Sequence, residues 1–336
     1  MVSHRRSRLS GSLDGSFSNT DSQTPEKGRE TVNHAGLERA KKTKDAKTTG
    51  RPENRRERRE PSEKHKKSEE HKKKESAFTW QGYKQARNQT ILAQTFITAA
   101  EECLQEGFFE EALKNYSEAL RHDSHSIAAL LGRGKIWLEY EYFEKAEKDA
   151  AQILKLDPEN SDALTLRANV LRCQQMTRES LADYNRAIQL DPRNWLAYYG
   201  RAIVHDTLNQ PEESFKDFDK CLKYNPDFVS AWYDRGVLLA SEGRMEDAVQ
   251  NYSEAIQRDS SFAHAYITRG EAFTELKIFE KALSDFNQAI QLEPENPDAW
   301  YYRSQLYVQM GKIQEAKRDY HTAIQLGWDG DDEAHE

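Results

Sequence analysis

The chain has 336 residues, a formal net charge of -8 and 32% charged residues. Residues 1–78 carry 21 Lys and Arg against 13 Asp and Glu, whereas the remainder carries 28 against 44, so a basic arm precedes an acidic body. No apolar stretch is long enough to cross a bilayer, and the first residues lack the apolar segment of a secretory signal. We therefore expect no membrane-bound form.

Cysteine usage favours an intracellular protein. The three cysteines, Cys103, Cys173 and Cys221, lie far apart and are odd in number, which suits a reducing compartment. The cytoplasm is the leading expectation for the location, and the nucleus is the alternative.

Residues 1–77 are predicted to form a disordered basic tail. The segment holds one aromatic residue, Phe17, and few large aliphatic residues, so it cannot bury enough apolar surface to offset the entropy of ordering. Its basic clusters at 55–59 and 72–74 fit either a solubilising spacer or a segment for nuclear import or nucleic-acid contact. The clusters lack aromatic residues for base stacking, so sequence-specific RNA recognition is not expected.

After residue 77 the composition changes, and small and aromatic residues recur with a period of 34. We expect a lead-in helix over residues 78–92, followed by the periodic region. The small residues are Ala112, Ala146, Ser180, Ser214, Ala248, Ala282 and Ala316. An aromatic residue follows four positions later in six of the seven units, and a second small residue usually follows seven positions later. Spacings of four and seven place these side chains on one helical face.

A second helix is predicted upstream in each unit, where a large residue lies sixteen positions before the small one and another small residue follows it by four. Proline after Asp157, Asp191, Asn225 and Glu293 is expected to separate the units. Each unit is thus a pair of antiparallel helices that cannot bury its apolar face alone, but stacked units can.

This pattern resembles the tetratricopeptide repeat family over 238 residues. The repeats are predicted at 93–126, 127–160, 161–194, 195–228, 229–262, 263–296 and 297–330, with an acidic C-terminal tail at 331–336. The resemblance implies an all-α, right-handed superhelical solenoid whose first helices line a concave groove. It also implies that repeat positions 2, 5, 6, 9, 12 and 13 face that groove.

The predicted groove suits an extended or helical protein segment with apolar and basic groups, because it combines apolar and aromatic side chains with carboxylates. Some of its tyrosines could instead pack between adjacent repeats. The predicted partner-binding residues are Leu196, Tyr199, Ile203, Asp206, Tyr233, Asp234, Val237, Ile267, Glu271, Tyr301 and Tyr302. A carboxylate clamp of the kind that holds chaperone tails is not expected, since position 5 has no Lys and position 9 offers only Lys135 and Asn169.

Arginine occupies repeat position 7 in six consecutive units. These residues are Arg133, Arg167, Arg201, Arg235, Arg269 and Arg303. They form either a cationic ladder for an acidic ligand or internal pairs with position 23, which is Asp in five of the six units and Asn251 in the other. Because the acid follows the arginine, we predict internal pairing.

No residues suggest an enzyme, a cofactor or a metal. His205, His264 and His321 lie on different repeats without ligands at suitable spacing. The leading hypothesis is a non-enzymatic scaffold or adaptor. The alternatives are a nucleic-acid-associated factor that uses the basic tail, and a structural subunit of a cytoskeletal or ciliary assembly. Lys317 on the last repeat suggests an adapted end, while Ile324 and Trp328 leave self-association open.

Overall fold

A computed structural model describes residues 85 and 87–329 of the chain. The predicted tail at residues 1–77 and the acidic tail at 331–336 lie outside the described residues, as does most of the segment 78–86. Residues 92–329 pack into one compact unit.

The described residues form fourteen helices and no strand. Helix α1 covers residues 87–105. The others are α2 (Phe109–His122), α3 (Ile127–Glu139), α4 (Phe143–Leu156), α5 (Ser161–Cys173), α6 (Thr177–Leu190), α7 (Trp195–Thr207), α8 (Pro211–Tyr224), α9 (Val229–Ser241), α10 (Met245–Arg258), α11 (Ala263–Glu275), α12 (Phe279–Leu292), α13 (Pro297–Gln309) and α14 (Ile313–Gln325). The odd-numbered members are called first helices below, and the even-numbered members second helices.

Each first helix packs against the second helix that follows it, and successive pairs stack. This arrangement confirms the predicted all-α solenoid of antiparallel helix pairs. Each described helix is too short or too polar to span a bilayer.

Caps and turns define the helix ends. Ser126, Asn160, Asn194 and Asn296 accept a hydrogen bond from a free backbone N–H at the start of a first helix. Between the two helices of a pair, one residue has a positive φ in every unit, and these residues are Gly107, Glu141, Gln175, Asn209, Gly243, Lys277 and Gly311. At Lys277 and its neighbour Ile278, backbone N–H groups bond back to Thr274 and Phe273, which closes the end of α11.

The core repeats the sequence pattern. The small residues of the second helices are buried, and so are the aromatic residues Tyr116, Tyr184, Phe218, Tyr252 and Phe286. Small residues on the first helix make room for these rings. A Cβ atom at Gly270 would lie 2.7 Å from the Phe286 ring, so any larger residue there would collide with it. In the last repeat the equivalent ring, Tyr320, is 37% exposed.

The position-7 arginines form internal ion pairs, as predicted. Five of them donate two hydrogen bonds each, of 2.6–3.0 Å, to the aspartate on the following helix, and the pairs are Arg133–Asp149, Arg167–Asp183, Arg201–Asp217, Arg269–Asp285 and Arg303–Asp319. The sixth, Arg235, donates to Asn251 at 3.0 Å and pairs with Asp219 at 2.9 Å. The arginines therefore tie each first helix to its second helix.

Candidate partner-binding face

The first helices form a continuous layer. Consecutive first helices contact one another at α3–α5, α5–α7, α9–α11 and α11–α13, whereas consecutive second helices are further apart. The Tyr199 hydroxyl on α7 donates a 2.7 Å hydrogen bond to Asp234 on α9, so α7 and α9 are also in contact. We use the term inner face for repeat positions 2, 5, 6, 9, 12 and 13 of helices α3, α5, α7, α9, α11 and α13.

Eight of the eleven predicted partner-binding residues are at least partly exposed on the inner face. They are Leu196, Ile203, Asp206, Asp234, Val237, Glu271, Tyr301 and Tyr302. Val237 is the most exposed apolar residue of these eight, with 38% of its surface exposed. Leu196 and Ile203 pack on the core cluster around Phe218 and Phe228 and keep part of their surface exposed. The face thus offers apolar contact area on the repeats that also carry its carboxylates.

The other three predicted residues differ from the expectation, because the structure buries them. Tyr199 and Tyr233 are each 5% exposed, and Ile267 is 3% exposed. The Tyr199 ring lies 4.8 Å from Phe228, and the Tyr233 ring lies 4.9 Å from Phe262. Their burial between adjacent repeats leaves almost no surface for a partner, so they support the inner face rather than form it.

A sequence signal for this burial exists at the last position of each repeat. Phe228 and Phe262 occupy that position where Asn160, Asn194 and Asn296 lie in other repeats. The asparagines cap the next first helix, whereas the phenylalanines form no side-chain cap and pack against the tyrosine of the same repeat. An aromatic residue at both positions 5 and 34 therefore indicates a core contact.

Asp234 is a partly buried carboxyl in the middle of the inner face. Burial raises its pKa to about 6, and the hydrogen bond from Tyr199 and the charge of Arg172 offset part of that rise. Asp206 lies close enough to raise the pKa of Asp234 further. At neutral pH most Asp234 side chains are therefore ionised. The hydrogen bond from the Tyr199 hydroxyl stabilises part of that charge.

Glu271 lies in a second carboxylate group near the C-terminal end of the face. Burial raises the pKa of Glu271 to about 8, the Tyr302 hydroxyl lowers it in part, and Asp298 and Glu275 raise it. Burial also raises the pKa of Asp298, and the charge of His264 partly offsets the rise. In a large fraction of the molecules the Glu271 carboxyl is therefore protonated at pH 7.

The N-terminal half of the face contains a small pocket lined by Lys135, Leu138, Asp162, Thr165, Leu166, Asn169 and Leu196. Asn169 is 4% exposed, and its Oδ1 accepts a 2.6 Å hydrogen bond from Tyr184. The amide oxygen of Asn169 is therefore committed to the core. Burial lowers the pKa of Lys135, and Asp162 offsets part of that change.

Potential metal ligands and a buried thiol are further features of residues 85 and 87–329. No three His, Cys, Asp or Glu side chains of that part of the chain are grouped in a way that could hold a metal ion. Cys221 is buried, and burial raises the pKa of its thiol, which disfavours the reactive thiolate. The basic clusters on which the nucleic-acid alternative depends lie outside the described residues.

Comparisons with known proteins identify the repeat family. Family profiles described as tetratricopeptide repeat match residues 97–160, 207–264 and 297–327, and a profile described as TPR repeat matches residues 270–311. Together these matches cover more than half of the chain. The chain belongs to the tetratricopeptide repeat family, whose fold typically serves as a non-enzymatic scaffold for protein–protein interaction.

Solved structures share the fold at low sequence identity. One is the APC/C hetero-tetramer Cut9–Hcn1, with 14% identity, a TM-score of 0.56 and coverage of 72% of this chain and 52% of that chain. Another is PilF of Pseudomonas aeruginosa, with 20% identity, a TM-score of 0.53 and coverage of 65% of this chain and 99% of that chain. A search of curated protein sequences finds no match.

Proposed function

We propose that this chain is a non-enzymatic adaptor that binds a segment of a partner protein on its inner face. The observation that carries the proposal is the exposed apolar surface at Val237, continued by the partly exposed Leu196 and Ile203 on the neighbouring first helix. A surface that combines apolar contact area with nearby carboxylates favours a segment with apolar and basic groups.

Internal pairing of the arginines supports this choice. A ladder of free guanidinium groups would favour an acidic or phosphorylated ligand, but five of the six make two hydrogen bonds each to their own aspartate. These arginines do not pair with the carboxylates of the inner face. The net charge that a ligand meets there is consequently negative, which favours basic segments.

The fold of the similar structures is compatible with such a role. A chain with this fold is part of the APC/C hetero-tetramer Cut9–Hcn1, so the fold takes part in a multi-chain assembly there. In our proposal the present chain likewise acts by association and has no catalytic role. The scattered cysteines favour an intracellular site for this association.

Two matched substitutions in one repeat test the proposal. Val237→Lys adds a positive charge to the exposed inner face, and Gln250→Lys adds the same charge to the exposed surface of the second helix, α10. We expect affinity capture from cells, quantified by mass spectrometry, to show a discrete set of proteins that Val237→Lys reduces by about tenfold and Gln250→Lys leaves unchanged. Thermal melts should show that both variants are folded. Equal recovery with the two variants would refute inner-face binding.

A further inference from the structure

The cations of the inner face are confined to two neighbouring repeats. Among positions 2, 5, 6, 9, 12 and 13 of helices α3 to α13, the only Lys or Arg residues are Lys135 on α3 and Arg172 on α5. Both are partly buried, and neither forms an ion pair with any described residue. The Nε atom of Arg172 is buried and has no hydrogen-bond partner in the same part of the chain. A buried donor without a partner is costly, so it favours a ligand that supplies an acceptor.

The acids near these two cations make other contacts but still act on them, since Asp234 accepts a hydrogen bond from Tyr199 while the charge of Arg172 lowers its pKa. Asp162 accepts a hydrogen bond of 3.3 Å from Asn194, the last residue of the same repeat, although its charge also acts on Lys135. Glu139 has another contact within the chain. Arg172 also bonds to the Tyr184 hydroxyl, but its Nε and the Lys135 ammonium retain donor capacity for an acidic group of a partner.

The opposite end of the inner face has the reverse charge. Glu271, Glu275 and Asp298 lie close enough that each of the other two raises the pKa of Glu271. The charge of His264 offsets part of the negative charge at Asp298, and Asp329 adds to it. A cationic side chain from a partner would relieve this repulsion. Between the two ends, α7 and α9 present the apolar surface of Leu196, Ile203 and Val237 beside the carboxyls of Asp206 and Asp234.

From these three observations we infer that the inner face binds its partner in one charge orientation, with an acidic residue of the partner at Lys135 and Arg172 and basic residues at Glu271, Glu275 and Asp298. The apolar residues of the segment then contact Val237 and its neighbours. The inference rests on the proposed function, since it specifies the chemistry of the segment that the inner face accepts.

The fold also sets the spacing within that segment. Three helix-to-helix steps separate α5 from α11, which corresponds to about 30 Å at the usual separation of packed helices. An extended chain covers this distance with about nine residues. The matching segment therefore has its acidic and basic ends about nine residues apart, with apolar residues between them.

Selection from a random peptide library displayed on phage, with inserts of about sixteen residues, tests the inference on the full-length chain. We expect the intact chain to enrich peptides with one acidic and one basic end about nine residues apart. The double substitution Lys135→Gln with Arg172→Gln should remove the preference for the acidic end alone. Glu271→Gln with Glu275→Gln should remove the preference for the basic end alone.

A matched control exchanges charges on second helices, Lys148→Gln with Glu280→Gln, both at exposed positions. This control should enrich the same peptides as the intact chain. Peptides that lose binding on Val237→Lys yet show mixed charges, or charges of one sign, would overturn the charge orientation while the proposed function stands. Failure of the intact chain to enrich any peptide would overturn both.

Discussion

The Glu271 carboxyl shows how burial and nearby carboxylates disfavour ionisation on the inner face. Its ordinary pKa of 4.5 rises to about 8 because burial disfavours the charged form, and Asp298 and Glu275 add like charge. Tyr302 offsets only part of the rise. A partner's lysine or arginine would favour the ionised carboxylate, so binding at this position is expected to release a proton near neutral pH.

Glu271 therefore makes stability depend on pH in a defined direction. The folded chain holds the proton up to about pH 8, whereas the unfolded chain releases it near 4.5, so unfolding between these values releases a proton and stability falls as pH rises. We expect Glu271→Gln to have stability similar to the intact chain near pH 4.5 and to become progressively more stable than it towards pH 8. Urea unfolding at several pH values measures the difference. Glu280→Gln, at an exposed site on the following helix that does not act on Glu271, is the control, and a gap that does not widen with pH would contradict the account.

The paired aspartates give a second prediction at the residue scale. Asp285 is buried and accepts two hydrogen bonds of 2.8 Å from Arg269. Asp285→Ala should destabilise the chain by about 3 kcal/mol, because it leaves a largely buried guanidinium without its acceptors. Asp285→Asn should cost less, since Arg235 already pairs with Asn251 in the equivalent place.

Chemical denaturation gives these free energies of unfolding. Loss of the exposed pair between Arg121 and Glu118 through Glu118→Ala should cost less than about 1 kcal/mol. If Asp285→Ala were no more harmful than Glu118→Ala, the arginines would not be structural.

At the scale of the helix pair, the residue that ends each first helix decides part of the stability. This residue has a positive φ in all seven units, and glycine occupies it in only three. Lys277 adopts φ 60°, a conformation that costs a residue with a Cβ atom roughly 1 kcal/mol. Its side chain is exposed, so replacing it removes little packing.

We therefore expect Lys277→Gly to stabilise the chain by about 0.5 to 1 kcal/mol, measured by thermal or urea unfolding. Gly243→Ala, at the same place in the preceding repeat with φ 75°, should destabilise it by a similar amount. Effects of the same sign at the two positions would show that the backbone conformation is not what limits stability there.

The helix pair is also the scale at which sequence reasoning is most successful. The small residues and the arginine–aspartate match predict the contacts between helices, because these contacts depend on spacing within one repeat. The inner face is harder to predict, since the exposure of Tyr199 and Tyr233 depends on Phe228 and Phe262 at the boundary with the next repeat. The family pattern assigns groove positions within one first helix and does not take into account the residue at position 34 that packs on them. The pKa of Glu271 likewise depends on groups from two adjacent first helices.

At the scale of the array, the stacking of repeats determines what a partner meets. Burial of Tyr199, Tyr233 and Ile267 consolidates the boundaries between repeats. The exposed aliphatic surface of the inner face then lies at Val237, with Leu196 and Ile203 beside it, and at Val308 on α13. At the C-terminal end the Trp328 ring stacks on Tyr301 with centroids 4.1 Å apart, while Ile324 stays 45% exposed. The Trp328 contact covers part of the end where a further repeat would stack.

The central claim is that partners lie against the first helices, and site-specific photo-crosslinking tests it most directly. A benzoylphenylalanine residue placed at Val237 on α9, or at Gln250 on α10, samples the two surfaces of a single repeat in living cells. We predict a discrete set of crosslinked proteins from position 237 and none of that set from position 250. The same proteins crosslinked from position 250 alone, or equally from both positions, would contradict binding on the inner face.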